Sequence, residues 1–215
     1  MELTEQKFLN DVAEHQMIVI RDEGVHRHIR FKAPGTMMEH FDLITWPGYL
    51  CYTGDMGTFV FNRIDDMFDF FRMGKDDWNY NRAGGLSINP GYWSEKLQGI
   101  DRNGGFEEFD EAKFKSVVSE YRRGWIRDGG LDKYERRELW DAVTDDVLNA
   151  VEDGEHRAFD AAYSFCHRVG RKEFQFEDFF EYRFTRYTYR FIWCCYALAW
   201  GIALYDATAK MEKAA

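Results

Sequence analysis

The chain has 215 residues, of which 45% are hydrophobic and 31% are charged, and its formal net charge is −10. This length and composition are typical of a globular protein with a sizeable core, and they exclude a disordered chain. The negative total also disfavours direct binding to duplex nucleic acid, because the phosphates would repel the protein.

The N-terminal part is predicted to be rich in β-structure. Residues 4–15 predict a short amphipathic helix, since Phe8 and Val12 fall on one face. Apolar or alternating runs separated by Gly and Pro turns then predict a meander over residues 16–62, because connections this short join antiparallel strands. About five strands are predicted, at residues 17–20, 25–32, 41–46, 49–53 and 58–61.

The strand at residues 25–32 alternates strictly between two faces. One face carries Val25, Ile29 and Phe31 together with Arg27. The other face is polar and carries, in chain order, His26, His28, Arg30 and Lys32.

Two histidines of this polar face, His26 and His28, form with the nearby His40 the best candidate for a metal site, since residues two apart on a strand point the same way. The basic side chains beside them would repel a cation. The nearest carboxylates are those of Glu39 and Asp42 on the next strand. The pattern therefore favours a solvent-facing polar stripe, and we predict neither a metal nor another cofactor.

Residues 64–73 predict a short helix that covers the apolar face of the sheet. Three aspartates near its start, Asp65, Asp66 and Asp69, could attract a divalent ion. The N-terminal end of a helix is a poor place for a cation, however, so a capping role is predicted for them. The residues too apolar to lie in solvent are Met67, Phe68, Phe70 and Phe71.

The remainder is predicted to be mostly helical. Residues 74–105 have no regular pattern apart from one helical turn near residues 93–97. Helical spacing of apolar residues then runs from Glu107 to the Gly129-Gly130 pair. Further helices are predicted at residues 132–152, 155–169 and 179–210, with a candidate sixth strand at residues 172–176.

These elements predict an α+β fold in a single domain that spans residues 1–215. The N-terminal antiparallel meander of about five strands, covered by a short helix, occupies residues 1–75. Residues 76–105 are predicted to be an irregular connection, and residues 106–215 are predicted to be the mostly helical half.

Residues 191–205 are apolar without interruption. A membrane span needs about twenty such residues, and Arg190 and Asp206 close this run at both ends. The pattern therefore favours a buried core helix. A helix that is apolar on every side can also lie in an interface, so association of copies through it is a second prediction.

The cysteines Cys51, Cys166, Cys194 and Cys195 form no CxxC pair. This set is typical of reduced core thiols in a reducing compartment. The N-terminus is polar and acidic and does not resemble a secretory signal. We therefore predict a cytoplasmic protein.

Charge is spread unevenly along the chain. Residues 132–160 contain ten acids and four bases. The excess of acids in this segment accounts for more than half of the net charge of the chain. In one interpretation Arg183, Arg186 and Arg190 share a helix face and partly neutralise this segment. In the other, exposed carboxylates imitate nucleic-acid phosphates and occupy a basic groove of a partner. The candidate partner-binding residues are Glu138, Asp141, Asp145, Asp146, Glu152, Asp153 and Glu155.

The motifs of common catalytic sites are missing from the sequence. The Gly84-Gly85 pair lacks the Lys and Ser/Thr of a phosphate-binding loop. Cys166 and His167 are sequence neighbours, whereas a nucleophile and its base are usually assembled from separate elements. An enzyme is therefore not favoured, and no catalytic residue is predicted.

Two stretches, residues 54–72 (GDMGTFVFNRIDDMFDFFR) and 187–206 (YTYRFIWCCYALAWGIALYD), are similar to small hypothetical proteins of temperate bacteriophages and prophages. The similarity extends over most of the chain. That family brings no established activity and no catalytic residues. The resemblance implies an accessory phage protein, a class in which inhibitors of host defence such as anti-CRISPR proteins are frequent.

We therefore expect a phage-encoded inhibitor that binds a host defence protein or ribonucleoprotein complex in the cytoplasm. The acidic surface is the expected docking site, and the polar sheet face around His28 and Arg30 is the competing one. Two alternatives are a small metal-dependent hydrolase or nuclease-like enzyme and a phage structural or assembly protein.

Overall fold

The computed structural model describes residues 3–72, 85–102 and 104–214, with positions 209 and 212–214 described in their backbone only. The fold is α+β, as predicted, with a six-stranded antiparallel sheet followed by a mostly helical C-terminal half. The chain divides into two compact units. That residues 1–215 form a single domain stays a prediction. The first unit comprises Met1–Glu107 and Tyr187–Ala215, and the second comprises Glu108–Arg186.

The sheet of the first unit is a meander in which each strand pairs antiparallel with the next one along the chain. Short connections produce this order among the first five strands, because they leave no room for a crossover. The first five strands confirm the predicted meander. The strands are β1 (Gln16–Glu23), β2 (His26–Lys32), β3 (Phe41–Trp46), β4 (Tyr49–Gly54), β5 (Gly57–Asn62) and β6 (Leu97–Ile100).

The sixth strand, β6, lies in the stretch predicted to be irregular, so that prediction is wrong for these residues. Ile100 pairs with Phe59 of β5, and Leu97 pairs with Phe61. With four residues, β6 is too short to show a clear alternating pattern. Its pairing depends on a strand that is distant in sequence, which a local pattern cannot reveal.

A short helix, α3 (Pro90–Ser94), precedes β6 and supplies a helical turn close to the one predicted near residues 93–97. Asn89 caps this helix, since its side chain accepts a hydrogen bond from the Tyr92 amide at 2.9 Å. The part of the predicted connection at residues 76–84 lies outside the described residues.

One face of the sheet is buried. In β2, Ile29 and Phe31 are fully buried while His28 and Arg30 are partly exposed, which confirms the predicted alternation. Helices pack into the same core and cover this face, including the one predicted at residues 64–73. The covering helices are α1 (Glu5–Asp11), α2 (Met67–Arg72) and α7 (Tyr189–Ala214).

The apolar helix α7 lies in this core. By length and composition, residues Tyr189–Thr208 could cross a membrane. Their side chains nevertheless pack against the sheet, where the Trp193 ring meets the Phe41 ring edge-to-face with centroids 5.5 Å apart. The structure therefore has the predicted core helix. Association of copies through this helix stays a prediction.

The second unit is built from helices around its own apolar cluster. The third predicted helix, at residues 155–169, ends at Ser164, because Phe165 is extended and the following residues enter a hairpin. The hairpin strands are β8 (Cys166–Val169) and β9 (Lys172–Gln175), so the candidate strand at 172–176 exists but lies outside the main sheet. The helices are α4 (Glu111–Asp128), α5 (Lys133–Val143), a π-helical turn (Thr144–Leu148), a 3₁₀ turn (Asn149–Asp153) and α6 (Glu155–Ser164).

The last predicted helix, at residues 179–210, starts too early. A 3₁₀ turn covers Phe179–Glu181, and the chain then extends through β10 (Thr185–Tyr187), which pairs with β7 (Glu107–Phe109). Aromatic and β-branched residues favour this extended stretch. The α-helix begins at Tyr189, where the Thr188 hydroxyl accepts a hydrogen bond from the Phe191 amide at 3.2 Å.

Candidate functional site: the acidic face of the second unit

The acidic segment begins at a well-defined helix start. The Asp132 side chain accepts hydrogen bonds from the amides of Tyr134 and Glu135 at 2.7 and 2.9 Å. The Glu135 carboxylate in return accepts one from the Asp132 amide at 2.9 Å. This reciprocal capping box satisfies backbone donors that the first helical turn would otherwise leave unpaired. From here the chain stays helical through the π and 3₁₀ turns to Asp153.

Apolar residues at four-residue spacing hold this helical run against the core. Leu139, Val143, Val147 and Val151 are almost completely buried. Because these positions define the inward side, the acidic residues between them point to solvent. Of the seven predicted partner-binding residues, Asp141 is partly exposed and the other six are exposed. The exposed six are Glu138, Asp145, Asp146, Glu152, Asp153 and Glu155.

We call these seven residues the acidic face. Two of its members have basic neighbours in the second unit. Arg137 donates to Asp141 at 2.8 Å, one helical turn away. The Nε2 atom of His167 lies 3.5 Å from the Glu138 carboxylate but forms no hydrogen bond with it, so this pair is weak. The other five carboxylates have no ion pair or side-chain hydrogen bond within the part of the chain that the structure describes.

The proposed neutralisation by a basic stripe does not occur for these five carboxylates. The arginines predicted on one helix face are on different elements, because the helix starts only at Tyr189. Arg183 donates to the Thr185 hydroxyl at 2.9 Å, and Arg186, in β10, pairs with Glu108 at 2.8 Å. The negative charge of the acidic face is therefore left largely uncompensated by these residues.

The competing surface around His28 and Arg30 is organised by a buried carboxylate. Asp42 is 5% exposed, and it accepts two hydrogen bonds from Arg30, both at 2.8 Å, and one from His28 Nε2 at 2.7 Å. Burial alone would raise the pKa of Asp42, but the hydrogen bonds from Arg30 and His28 outweigh it and lower that pKa. The central polar groups of this face are thus engaged with each other.

The histidines considered for metal binding do not converge. His28 contacts Asp42, whereas His40 Nδ1 lies 3.1 Å from Asp55 and 2.7 Å from the Met37 carbonyl oxygen. Among the described residues, no group of three or more His, Cys, Asp or Glu side chains has metal-binding geometry. The metal-dependent hydrolase therefore gains no supporting geometry from these side chains.

One of the aspartates at the start of α2, Asp66, stabilises the fold. Asp66 accepts a hydrogen bond from the Phe68 amide at 2.9 Å, which is the predicted capping role. Its two oxygens also accept hydrogen bonds at 2.9 and 2.7 Å from Arg27, whose guanidinium stacks 4.7 Å above the Phe68 ring. This pairing explains how an arginine can occupy the apolar face of β2.

The cysteines fit the core-thiol prediction only in part. Cys194 and Cys195 are buried in α7, and Cys51 is partly buried. Cys166 is exposed, so the prediction is wrong for this residue. It lies at the start of β8, in a two-stranded sheet that pairs with no further strand among the described residues. All four thiols are free.

Sequence reasoning missed an aromatic cleft in the second unit. Its cavity of about 540 Å³ lies between α6 and the segment that follows β9. The sequence signal was the dense run of aromatic and acidic residues at positions 174–182 (FQFEDFFEY). The predicted strand at residues 172–176 and the predicted helix from residue 179 divide this run, and neither pattern shows which rings face outward.

Comparisons with known proteins add no functional residue to this description. No family model, no curated protein and no solved structure matches the chain.

Proposed function

We propose that the protein inhibits a nucleic-acid-handling complex by docking its acidic face into a basic groove of that partner. The observation that carries this proposal is the exposure of five carboxylates that have no partner within the described chain. A surface of this kind attracts a basic groove over several ångströms and speeds the encounter at low salt. The five residues are Asp145, Asp146, Glu152, Asp153 and Glu155.

The charge is local to the acidic segment. Residues 132–160 contain ten acids and four bases, whereas the rest of the second unit contains nine acids and ten bases. An acidic total that served solubility alone would not need this concentration. The distribution therefore supports a defined docking surface.

The charge density of the acidic face is similar to that of a nucleic-acid strand. A helical run from Glu138 to Asp153 rises about 22 Å at 1.5 Å per residue, and it carries six members of the acidic face. Over the same length, one strand of duplex DNA carries about six phosphates. Because Asp141 is paired with Arg137, a groove that binds one strand would meet five of these carboxylates in place of about six phosphates.

The resemblance to phage accessory proteins suggests the class of partner. An inhibitor encoded by a phage would act in the host cytoplasm on a defence complex that handles nucleic acid, as anti-CRISPR proteins do. This step rests on the resemblance, whereas the docking surface rests on the charges. The two can therefore fail separately.

The direct test is affinity capture of the tagged protein from a phage-susceptible bacterial lysate at low and high salt. We expect a nucleic-acid-binding complex that washes off as salt rises, because screening weakens exposed charge pairs. The double variant Asp145→Lys and Glu152→Lys should abolish the capture. Both side chains are exposed and unpaired within the described chain, so the variant should still fold.

A matched control is the double variant Glu14→Lys and Asp65→Lys. These residues are also exposed and unpaired within the described chain, and they belong to the first unit. The net charge changes by the same amount in both variants. Loss of capture in both would mean that only total charge matters, and retention in both would contradict the proposal.

A further inference from the structure

We infer that the aromatic cleft of the second unit binds an arginine side chain of the partner. This inference rests on the proposed function, because it specifies the partner chemistry next to the acidic face. The name aromatic cleft refers here to six residues that line the cavity. They are Phe159, Tyr163, Phe176, Glu177, Asp178 and Phe180.

The backbone after β9 shapes one side of the cleft. Asp178 has a positive φ of 54°, which is uncommon for a residue other than glycine and reverses the chain into the 3₁₀ turn. The Tyr121 hydroxyl fixes this reversal by donating a hydrogen bond to the Glu177 carbonyl oxygen at 2.5 Å. As a result Phe179 points into the core with 5% exposure, and Phe180 points outward with 74% exposure.

Helix α6 forms the other side. Phe159 and Tyr163 are one turn apart and therefore lie on the same side of the helix. Phe159 is partly buried against the apolar cluster, while Tyr163 is 87% exposed. Single exposed aromatic residues are normal, but two that flank the same cavity indicate a binding surface.

The chemistry of the lining favours a cation. None of the residues that line this cavity is basic. The carboxylates of Glu177 and Asp178 are exposed and have no ion pair within the described residues. Ring faces attract cations through their quadrupole, and carboxylates attract them through charge. An anionic ligand would meet repulsion from both.

Arginine fits this combination better than lysine does. The planar guanidinium can stack on an aromatic ring while its N–H groups donate to a carboxylate. The cavity of about 540 Å³ is large enough for such a side chain and its backbone. Helix α6 also starts at Glu155 of the acidic face and reaches Tyr163 about 12 Å further along. A basic partner could therefore contact both.

The test uses the full-length protein and no partner. We would titrate ¹⁵N-labelled protein with N-acetyl-arginine methylamide and follow the amide shifts of Tyr163, Asp178 and Phe180. The citrulline analogue, which has the same shape but no charge, is the control ligand. Saturable shifts are expected with the arginine ligand. The apparent affinity of the citrulline ligand is expected to be at least fivefold weaker. Equal binding of the two ligands, or no shift with arginine, would overturn the inference.

Variants test whether the arginine ligand binds in the aromatic cleft. Phe180→Ala, and separately the double variant Glu177→Gln and Asp178→Asn, should weaken arginine binding at least fivefold, and asparagine tolerates the positive φ at position 178. Tyr134→Ala removes a ring that is 84% exposed but does not line the cleft, so it should bind arginine unchanged. Loss of binding in Tyr134→Ala, or full binding in Phe180→Ala, would place the ligand elsewhere. Failure here would leave the lysate capture intact, so the two proposals are distinguishable.

Discussion

At the scale of single residues, Asp42 shows how charge stabilises the sheet. Its carboxylate is buried and accepts hydrogen bonds from Arg30 and His28 of the neighbouring strand. Its pKa is lowered because these hydrogen bonds outweigh the effect of burial. A carboxylate with a lowered pKa in the folded state adds stability above its unfolded pKa, and that stability is lost as the pH falls through the folded value.

We therefore expect Asp42→Asn to lower the free energy of unfolding by about 2 kcal/mol at pH 7, since Arg30 keeps access to water while it loses its charged partner. The difference between wild type and variant should shrink below pH ~4, the ordinary Asp value. Urea unfolding at pH 7 and at pH 3 measures both quantities. Glu14→Gln, at an exposed site, should change neither the free energy of unfolding at pH 7 nor its dependence on pH. A difference that is independent of pH would contradict the assigned role of Asp42.

Gly201 is a second residue whose identity has a physical reason. A Cβ atom at this position of α7 would lie 3.1–3.2 Å from side-chain atoms of Phe31 and Leu43. Gly201→Val should therefore destabilise the protein by about 2 kcal/mol through overpacking. In contrast, a Cβ atom at Gly124 of α4 would have no neighbouring atom within 4 Å.

Gly124→Ala should accordingly stabilise the protein by up to ~1 kcal/mol through helix propensity. Thermal unfolding of the two variants gives the comparison. Opposite signs are expected, and equal destabilisation at both positions would show that close packing does not explain Gly201.

At the scale of secondary-structure elements, the start of α5 depends on a capping box. Asp132→Ala removes the hydrogen bonds to the Tyr134 and Glu135 amides and should cost about 1 kcal/mol. Lys133→Ala, at the next and exposed position, should be close to neutral. Chemical denaturation of both variants tests this prediction. If Lys133→Ala lowered the stability as much as Asp132→Ala does, the loss of stability would not be due to capping.

Elements with a strong local pattern could be predicted from the sequence. The alternation of β2 identifies its buried face, and the uninterrupted apolar run identifies α7 as a core helix. The start of α7 could not be predicted, because Thr185–Tyr187 is extended through pairing with β7, and the arginines there have a spacing that also suits a helix. The strand β6 was missed because its partner β5 lies far away in sequence.

The acidic face and the aromatic cleft also differ in how far the sequence predicts them. The acidic face could be predicted by counting charges, and the buried positions between the acids indicate which way they point. That five of these carboxylates lack partners within the described chain depends on the tertiary structure, which places the arginines elsewhere. The aromatic cleft joins Tyr163 with Phe180 through the hairpin between them, so no local pattern shows it.

At the scale of the whole molecule, each of the two units has its own apolar cluster. We expect a cavity in one cluster to loosen that unit first. Leu139→Ala in the second unit should cost about 2–5 kcal/mol and speed amide hydrogen exchange mainly in α4 and α5. Leu43→Ala should instead affect the sheet of the first unit. Equal acceleration in both units for both variants would show that they unfold together.

The central claim also belongs to the whole molecule, because it concerns the surface that the protein offers to a partner. The most direct measurement is a competition between the protein and nucleic acid for the captured complex. Labelled nucleic acid bound to that complex should be displaced by the wild-type protein and by the Glu14→Lys and Asp65→Lys control. The Asp145→Lys and Glu152→Lys variant should displace none. A complex that holds the protein and its nucleic acid at the same time would contradict the claim that the acidic face takes the place of phosphates.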